Sequence, residues 1–230
     1  HIEVQIIGDG SGAVSHIWER ECSLQRRHQK LVEIAPSPTL DPAMRTAMCD
    51  AAVRLGKEIN YAGLGTIEFL LDTNANEFFF IEANARLQVE HTVTEEVTGI
   101  DLVRAQIEVA GGASLHDLGL QQADVPDPRG YAIQLRINME TMTAEGDVMP
   151  AGGRLSKFEV PTGPGLRTDT YGYAGYTTNP NYDSLLAKVI CYSPSKNYAD
   201  AIKRAQRGLK DFVVEGVSCN IDFLAALIAS

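Results

Sequence analysis

The sequence predicts an α+β fold with a mainly antiparallel sheet, and three observations indicate it. Strand-like and helix-like segments are mixed along the chain and do not alternate strictly, which is typical of α+β proteins. Neighbouring apolar segments are joined by short turn sequences, as in β-hairpins. The composition, with 44% apolar and 22% charged residues in a chain of 230, is that of a globular protein with a hydrophobic core.

The first part of the chain is predicted to form three strands and a helix. A strand pattern starts at residue 2, a glycine-rich turn covers 8–12, and the returning strand covers 13–19. A polar, basic loop over 20–30 leads to a strand over 31–35. Asp41-Pro42 is a favourable helix start, and the helix is expected to reach about residue 59. Its predicted apolar face holds Met44, Met48, Ala52, Leu55 and Ile59.

The middle of the chain is predicted to form a β-hairpin, a polar segment and a short helix. Two apolar runs, 64–71 and 78–81, flank residues that favour turns. The polar segment covers 82–95 and begins as extended chain. A helix capped by Asp101 follows and ends at Gly111-Gly112.

A proline-containing stretch over 121–129 is the predicted domain boundary. After it the pattern changes to short strands over 131–137, 155–160, 166–170 and 185–192. Two helices, over about 196–212 and 221–229, complete the prediction. We therefore expect two domains, 1–120 and 121–230, that pack as one lobe.

Charge and apolar patterning exclude several classes of protein. Twenty basic and 30 acidic residues give a net charge of −10, which argues against a general nucleic-acid-binding protein. No apolar stretch approaches the ~20 residues of a membrane span, and the first residues are typical of neither a signal nor a transit peptide. Because the chain opens within a strand, we expect it to be the later part of a longer protein. Four scattered cysteines favour a reducing compartment.

The polar segment carries the densest set of chemically useful side chains. Glu82, Asn84, Arg86, Gln88 and Glu90 recur at every second position, so an extended backbone places all five on one face. That face offers two carboxylates, two amides and a guanidinium. A solvated edge strand with incidental ion pairs is the alternative interpretation of the same pattern.

A carboxylate in the preceding hairpin suggests a metal site. Glu68 lies in a nearly continuous apolar run, where it must be paired, protonated or bound to a cation. A three-residue loop over 74–76 would place Glu68 opposite Glu82, and Mg²⁺ would relieve the repulsion between them. A four-residue loop would instead put the two on opposite faces. A single carboxylate paired with Arg86, without metal, is the other alternative.

The basic loop concentrates hydrogen-bond donors over residues 25–30 (QRRHQK). Arginine offers a planar fork and lysine a point charge, so the loop could receive a phosphate, a carboxylate or bicarbonate. A solvated basic loop would have the same composition.

Several of these motifs together resemble the biotin carboxylase family. The residues concerned are 65–69 (GTIEF), 82–91 (EANARLQVEH), 19–30 (ERECSLQRRHQK) and 182–188 (YDSLLAK), and the resemblance covers residues 1 to about 224. It implies the second half of an ATP-grasp domain followed by a biotin carboxylase C-terminal domain. The nucleotide-fold domain and the mobile Gly-rich lid of such enzymes have no counterpart in these residues. We therefore expect the fragment alone not to support full turnover.

The resemblance implies an activity and a role for each matched residue. Members of this family make carboxyphosphate from ATP and bicarbonate and then carboxylate biotin on a carrier protein. By matching motifs, Mg²⁺ or Mn²⁺ would be bound by Glu68, Glu82 and Asn84. Bicarbonate would be held by Lys30, Arg86, Gln88 and the backbone of Val89, with Glu90 as general base. The nucleotide would contact His1, Gln25, His28, Leu70 and Ile81, and Arg167 would stabilise the biotin enolate.

The resemblance also implies partners and leaves alternatives open. A biotin carboxyl carrier protein or domain, a carboxyltransferase component and a homo-oligomer are expected, in the bacterial cytoplasm or the mitochondrial matrix. Another ATP-grasp ligase, such as a carbamoyl-phosphate synthetase-like protein, or a non-catalytic assembly domain are the alternatives. The chain departs from the usual family pattern at Ala83, Ala85 and Thr92, where Met, Thr and Pro are common. Thr92 adds a hydrogen-bond donor just after the proposed base.

Overall fold

The computed structural model describes residues 1–143, 147–179 and 181–229. Within these ranges the chain forms twelve strands, five helices and one large sheet, and the predicted α+β class is confirmed. The strands are β1 Ile2–Asp9, β2 Val14–Arg26, β3 Gln29–Ala35, β4 Ala62–Asp72, β5 Glu77–Asn84, β6 Tyr131–Asn138, β7 Glu140–Met142, β8 Val148–Pro150, β9 Lys157–Glu159, β10 Leu166–Thr170, β11 Leu185–Ser193 and β12 Val213–Glu215. The helices are α1 Pro42–Glu58, α2 His91–Thr98, α3 Leu102–Ala110, α4 Tyr198–Asp211 and α5 Ile221–Ala229.

One eight-stranded sheet connects the two halves of the chain. Its strand order is β10-β11-β6-β3-β2-β1-β4-β5, and every neighbouring pair is antiparallel. The central contact between the halves is the pairing of β3 with β6. Strands from residues 1–84 and from residues 131–193 therefore share one hydrogen-bonded layer.

Helices cover both faces of this sheet, and the central strands β1, β3, β6 and β11 accordingly bury side chains on both sides. On one face α1 packs through Met44, Met48 and Ala52 against β1 and β4, and α4 and α5 pack against β6 and β11. On the other face α2 packs through Val93 and Val97, and α3 packs near β1 and β4. No helix in the described ranges is long and apolar enough to cross a membrane.

The face that carries α2 also carries a row of charged side chains. Because partners in an antiparallel register point to the same face, the row can be followed from strand to strand. It runs through the register pairs Asp169↔Lys188, Lys188↔Arg136, Glu33↔Gln134, Arg20↔Glu3, Glu3↔Glu68 and Glu68↔Glu82. The sheet thereby gathers charges that lie far apart in sequence.

Two segments differ from the sequence-based prediction. The basic loop predicted over 20–30 is mostly strand, because β2 continues to Arg26 and a two-residue turn leads directly into β3. The polar segment predicted over 82–95 is extended only to Asn84, and helix α2 begins at His91. The alternation of polar residues masked this eight-residue helix, which has just over two turns and is stabilised by the tertiary packing of Val93 and Val97.

The structure of helix α1 confirms its predicted start and, through Met44, Met48 and Ala52, most of its predicted apolar face. Asp41 accepts hydrogen bonds from the backbone of Ala43 and Met44, and Pro42 is the first helical residue. Leu55 and Ile59, predicted on the apolar face, are exposed, while Cys49 and Gly56 are buried instead. Gly56 contacts Val14 so closely that a side chain there would overlap it. The helix therefore turns a different edge to the sheet near its end.

The second half differs in its smaller elements. The strand predicted over 155–160 is limited to Lys157–Glu159, and β7, β8 and β12 lie outside the predicted strands. The remaining predicted strands and both C-terminal helices are present within two residues of their expected bounds. All four cysteines are free, as expected for a chain that is not a disulfide scaffold.

Candidate active site

A cavity of about 860 Å³ opens on the charged face of the sheet. Every site residue predicted from the sequence lines it, except Arg167. It is lined by His1, Ser23, Gln25, His28, Gln29, Lys30, Glu68, Leu70, Ile81, Glu82, Asn84, Arg86, Gln88, Val89, Glu90, Arg136 and Asp183. Most of these residues come from β2, β3, β4, β5 and β6, and the loop before α2 and the residues His1, His28 and Asp183 complete the lining.

Lys30 is the central cation of the cavity. Its Nζ lies 2.5 Å from Glu3 Oε2, 2.7 Å from Glu90 Oε1 and 3.1 Å from Glu68 Oε1. Burial opposes a charged lysine, but the charges of Glu3 and Glu90 raise the pKa of Lys30 above its usual range. Lys30 is therefore a permanent cation that holds three carboxylates around one point.

The hairpin of β4 and β5 brings Glu68 opposite Glu82 by an unexpected route. Asp72 pairs with Glu77, so the loop has four residues, 73–76. By itself, a loop of this length would put Glu68 and Glu82 on opposite faces of the hairpin. A β-bulge at Ile81 inserts one residue between the pairs Phe69↔Phe80 and Glu68↔Glu82. The bulge restores the register, and the carboxylates share one face as the three-residue loop would have required.

The facing carboxylates form a donor set that fits a hard divalent cation. Asn84 Nδ2 lies 3.0 Å from Glu68 Oε1 and 2.9 Å from Glu82 Oε1, so one amide joins both groups. Burial disfavours an ionised Glu68, yet hydrogen bonds from His1 and Gln88 and the charge of Lys30 lower its pKa to about 2. Glu68 is thus anionic at neutral pH. Two carboxylates and an amide oxygen are ligands that Mg²⁺ and Mn²⁺ accept.

Next to this set lie groups suited to a small anion. Arg86 contacts only Asn84 Oδ1 and the carbonyl of Leu87, both at 3.3 Å, and makes no ion pair with the described residues. Gln88 Nε2 donates to Glu68 Oε1, whereas Gln88 Oε1 is buried without a hydrogen-bond partner in the described part of the chain. A free guanidinium and a free amide oxygen together can bind an oxyanion that also carries an O–H group.

Glu90 occupies the end of this pocket between two cations. Lys30 Nζ lies 2.7 Å from its Oε1 and Arg136 NH2 lies 3.1 Å from its Oε2. The residue is only 2% exposed. Burial alone would raise its pKa, but Lys30, Arg20 and Arg136 lower it to about 2. Glu90 is therefore an ionised carboxylate that can accept a proton.

A strained turn and two apolar side chains complete the rim. Arg27 and His28 both have positive φ, 47° and 66°, as a two-residue hairpin turn between β2 and β3 requires. Such conformations are costly for residues other than glycine and are found at functional sites. His1 joins the rim to the metal set, because its ring contacts both Gln25 and Glu68. Leu70 and Ile81 are exposed and offer a flat apolar contact.

Arg167 lies apart from the cavity. Its guanidinium binds Asp169 at 2.8 and 3.0 Å and Glu95 at 2.9 Å. Lys188 links this cluster to the main site, since its Nζ lies 3.3 Å from Asp169 and 3.0 Å from the carbonyl oxygen of Val89. A second cavity of about 220 Å³ shares Val89 with the main one and is lined by Asp169 and Lys188. Arg167 thus lies beyond the anion pocket, on the side of α2.

Sequence reasoning missed four charged residues that shape the site. Glu3, Glu33, Arg136 and Lys188 all belong to strands whose apolar positions were recognised. Glu3 and Glu33 are fully buried, and Arg136 and Lys188 are mostly buried. The signal in the sequence is the same for these residues as for Glu68, a charged residue within an apolar strand.

Two family models match successive parts of the chain. Residues 1–118 match the family described as carbamoyl-phosphate synthase L chain, ATP binding domain. Residues 134–230 match the family described as biotin carboxylase C-terminal domain. The chain belongs to the biotin carboxylase family. The resemblance inferred from the motifs is thereby confirmed, as is the fold of ATP-grasp half followed by biotin carboxylase C-terminal domain.

Biotin carboxylases and pyruvate carboxylases are similar to this chain over nearly its whole length. Biotin carboxylase 1 of Bacillus subtilis is 45% identical over 228 residues, which are 99% of this chain and 49% of the relative. Mitochondrial pyruvate carboxylase of Homo sapiens is 48% identical over 225 residues, 97% of this chain and 19% of the relative. The chain therefore spans about half the length of the first and about a fifth of the second.

Solved structures of biotin carboxylases have the same fold. A single-chain, multi-domain long-chain acyl-CoA carboxylase superposes with a TM-score of 0.95 at 45% identity, over 100% of this chain and 24% of that one. The biotin carboxylase domain of a single-chain bacterial carboxylase gives a TM-score of 0.91 at 47% identity, over 100% and 51%.

Proposed function

We propose that this chain forms the metal- and bicarbonate-binding side of an ATP-dependent biotin carboxylation site within a longer biotin-dependent carboxylase. One observation carries the proposal. Lys30 holds Glu68 and Glu90 on one side of the cavity. Beside them lie Arg86 and Gln88 Oε1, which have no ion-pair partner and no hydrogen-bond partner, respectively, in the described part of the chain. This arrangement offers a metal set, an anion pocket and a base in one cavity, which is what attack of bicarbonate on a nucleotide phosphate requires.

The residues would act on bicarbonate in a defined order. Arg86 and Lys30 would neutralise the charge of bicarbonate and hold it near the phosphates, while Gln88 Oε1 would accept a hydrogen bond from the O–H group of bicarbonate. Lys30, Arg20 and Arg136 keep the pKa of Glu90 at about 2, against the effect of burial. A bound anion beside Lys30 offsets this positive charge and so raises the basicity of Glu90. Glu90 would then take the proton from bicarbonate as a bicarbonate oxygen attacks the γ-phosphorus of ATP, the bond from that phosphorus to the β-phosphate oxygen breaks, and ADP leaves.

Metal, nucleotide and biotin are proposed to occupy neighbouring parts of the cleft. Glu68, Glu82 and Asn84 would hold Mg²⁺ or Mn²⁺, which neutralises charge on the transferred phosphate. The nucleotide would contact the rim formed by His1, Gln25, His28, Leu70 and Ile81. Arg167 would meet the biotin enolate at the Val89 end, where its permanent charge suits a developing oxyanion. The Asp169 and Glu95 contacts of Arg167 would have to loosen for this role.

The names and lengths of the relatives and structural neighbours suggest which partners this chain has. Relatives and structural neighbours carry names such as pyruvate carboxylase and acyl-CoA carboxylase, and cover two to five times the length of this chain. We infer a biotin carrier and a carboxyltransferase as partners, a division into domains 1–120 and 121–230, and assembly as a homo-oligomer. A bacterial cytoplasm or a mitochondrial matrix would suit such an enzyme.

ATP hydrolysis by the longest natural form of the chain, with Mg²⁺, tests this function. We expect hydrolysis that requires bicarbonate and increases when free biotin is added. Hydrolysis that depends on bicarbonate but ignores biotin would favour another ATP-grasp ligase. Absence of hydrolysis in the long form would refute the catalytic proposal. The 230-residue chain alone serves as control and is expected to be much less active.

A further inference from the structure

A chain of four hydrogen bonds, two buried and two partly buried, leads from helix α2 through the sheet to Glu90. Thr92 Oγ1 donates to Gln134 Oε1, and Gln134 Nε2 donates to Glu33 Oε2 at 2.9 Å. Glu33 Oε1 accepts from Arg136 Nε at 2.5 Å, and Arg136 NH2 donates to Glu90 Oε2 at 3.1 Å. The first and last residues are two positions apart in sequence, so the chain closes a loop on itself.

Each bond of this chain determines the orientation of the next group. Because the Thr92 hydroxyl donates to the amide oxygen of Gln134, the amide NH2 must point to Glu33. Glu33 then presents its other oxygen to Arg136. A guanidinium is rigid and planar, so fixing its Nε also fixes the NH2 that meets Glu90.

Burial gives these groups few alternative partners. Thr92, Gln134 and Glu33 are fully buried, with 0% exposure, and none of them lines the main cavity. Buried polar groups that lose a partner cannot turn to water, so each is held by the next. Burial also raises the pKa of Glu33 to about 7, although Arg136 opposes this. The ion pair with Arg136 favours the ionised form of Glu33, whose two oxygens accept hydrogen bonds from Arg136 and Gln134.

We propose that Thr92, Gln134 and Glu33 are positioning residues that orient the catalytic base Glu90 through Arg136. This inference rests on the proposed function of Glu90. It assigns a role to the hydroxyl of Thr92, which has no contact with the cavity. These four hydrogen bonds, from Thr92 through Gln134, Glu33 and Arg136 to Glu90, are called the relay below. The relay orients Glu90 Oε2, whereas Glu90 Oε1 contacts Lys30 and faces the proposed bicarbonate site.

The relay predicts a selective kinetic defect. Loss of the Thr92 hydroxyl frees the Gln134 amide to turn, and Arg136 then holds Glu90 less firmly. We expect kcat/KM for bicarbonate to fall ~10-fold, the lower end of what outer partners of metal sites contribute. The KM for ATP should not change, because the relay does not contact the nucleotide rim. A purely structural role would lower stability without separating these two parameters.

The test compares Thr92→Val and Thr92→Ser in the longest natural form of the chain. Val keeps the shape and removes the hydroxyl, whereas Ser keeps the hydroxyl. Bicarbonate-dependent ATP hydrolysis is measured while bicarbonate and ATP are varied separately. We expect the selective loss in Thr92→Val and a kcat/KM within about twofold of wild type in Thr92→Ser. An equal kcat/KM for bicarbonate in wild type and Thr92→Val would overturn the proposal.

A double-mutant cycle with Glu33→Gln separates a relay from independent effects. If Thr92 acts through Glu33, Thr92→Val adds little to the loss already caused by Glu33→Gln. If the fold-losses in kcat/KM of the two single variants multiply in the double variant, the two residues act independently and the proposal is contradicted. Glu33→Gln also serves alone if Thr92→Val does not fold, since it preserves size and the same selective loss is expected. A wild-type enzyme whose hydrolysis ignores bicarbonate would refute the proposed function itself, whatever the variants show.

Discussion

Replacement of Lys30 by methionine tests whether the site depends on one buried cation. Methionine keeps most of the side-chain volume but leaves Glu3, Glu68 and Glu90 without the ammonium that lies within 3.1 Å of each. Although burial opposes ionisation, Lys30 and two arginines lower the pKa of Glu90 from 4.5 to about 2. This shift corresponds to about 3 kcal/mol of stabilisation of the ionised form.

We expect Lys30→Met to lower the free energy of unfolding at pH 7 by about 3 kcal/mol. Breaking a buried ion pair typically costs 3–5 kcal/mol, roughly, and the lower end applies because Arg20 and Arg136 still contact Glu3 and Glu90. Chemical denaturation of the longest natural form measures the loss. Lys203→Met is the matched control, because Lys203 is mostly exposed and, among the described residues, forms an ion pair only with Asp200, at 3.5 Å. Its expected effect is below about 0.5 kcal/mol.

The pH dependence gives the sign of the effect. A lowered pKa in the folded state stabilises the wild type above the unfolded pKa, and this stabilisation is lost as pH falls from 4.5 towards 2. Lys30→Met removes part of that contribution, so its deficit should shrink as the pH falls through this window. A deficit that stays constant from pH 7 to pH 3, or a loss equal to that of Lys203→Met, would refute the reasoning.

Two further predictions concern the metal set and the biotin end. Glu82→Gln removes one carboxylate that faces Glu68, so we expect the Mg²⁺ or Mn²⁺ concentration for half-maximal ATP hydrolysis to rise about tenfold; an unchanged metal requirement would contradict the assignment. Arg167→Met removes the proposed cation for the biotin enolate. We expect it to abolish the stimulation by biotin while bicarbonate-dependent hydrolysis continues, and equal loss of both would instead place Arg167 with the anion pocket.

The sequence predicted the residues of the cavity better than the backbone that presents them. Period-two spacing grouped Glu82 and Asn84 correctly, because both lie in β5. Arg86, Gln88 and Glu90 share the cavity although the chain after Asn84 is not a strand. Alternation alone could not show this, since a loop can also direct every second side chain to one side.

The register of the hairpin shows a second limit of sequence reasoning. The four-residue loop alone would place Glu68 and Glu82 on opposite faces of the hairpin, but the bulge at Ile81 returns them to the same face. The composition of an apolar run such as 78–81 does not indicate a bulge. Glu3, Glu33 and Arg136 were overlooked for a related reason. Their neighbours in space are set by pairing of β1, β3 and β6 with strands far away in sequence. Local patterns identify such strands but not their partners.

Glu90→Gln in the longest natural form tests the central claim most directly. The amide has the size of the carboxylate but cannot take a proton at neutral pH. We predict that bicarbonate-dependent ATP hydrolysis falls by about 10²–10⁴-fold while the KM for ATP is unchanged. Glu58→Gln, at an exposed residue of α1, should keep the wild-type rate. A wild-type rate in Glu90→Gln would contradict the account.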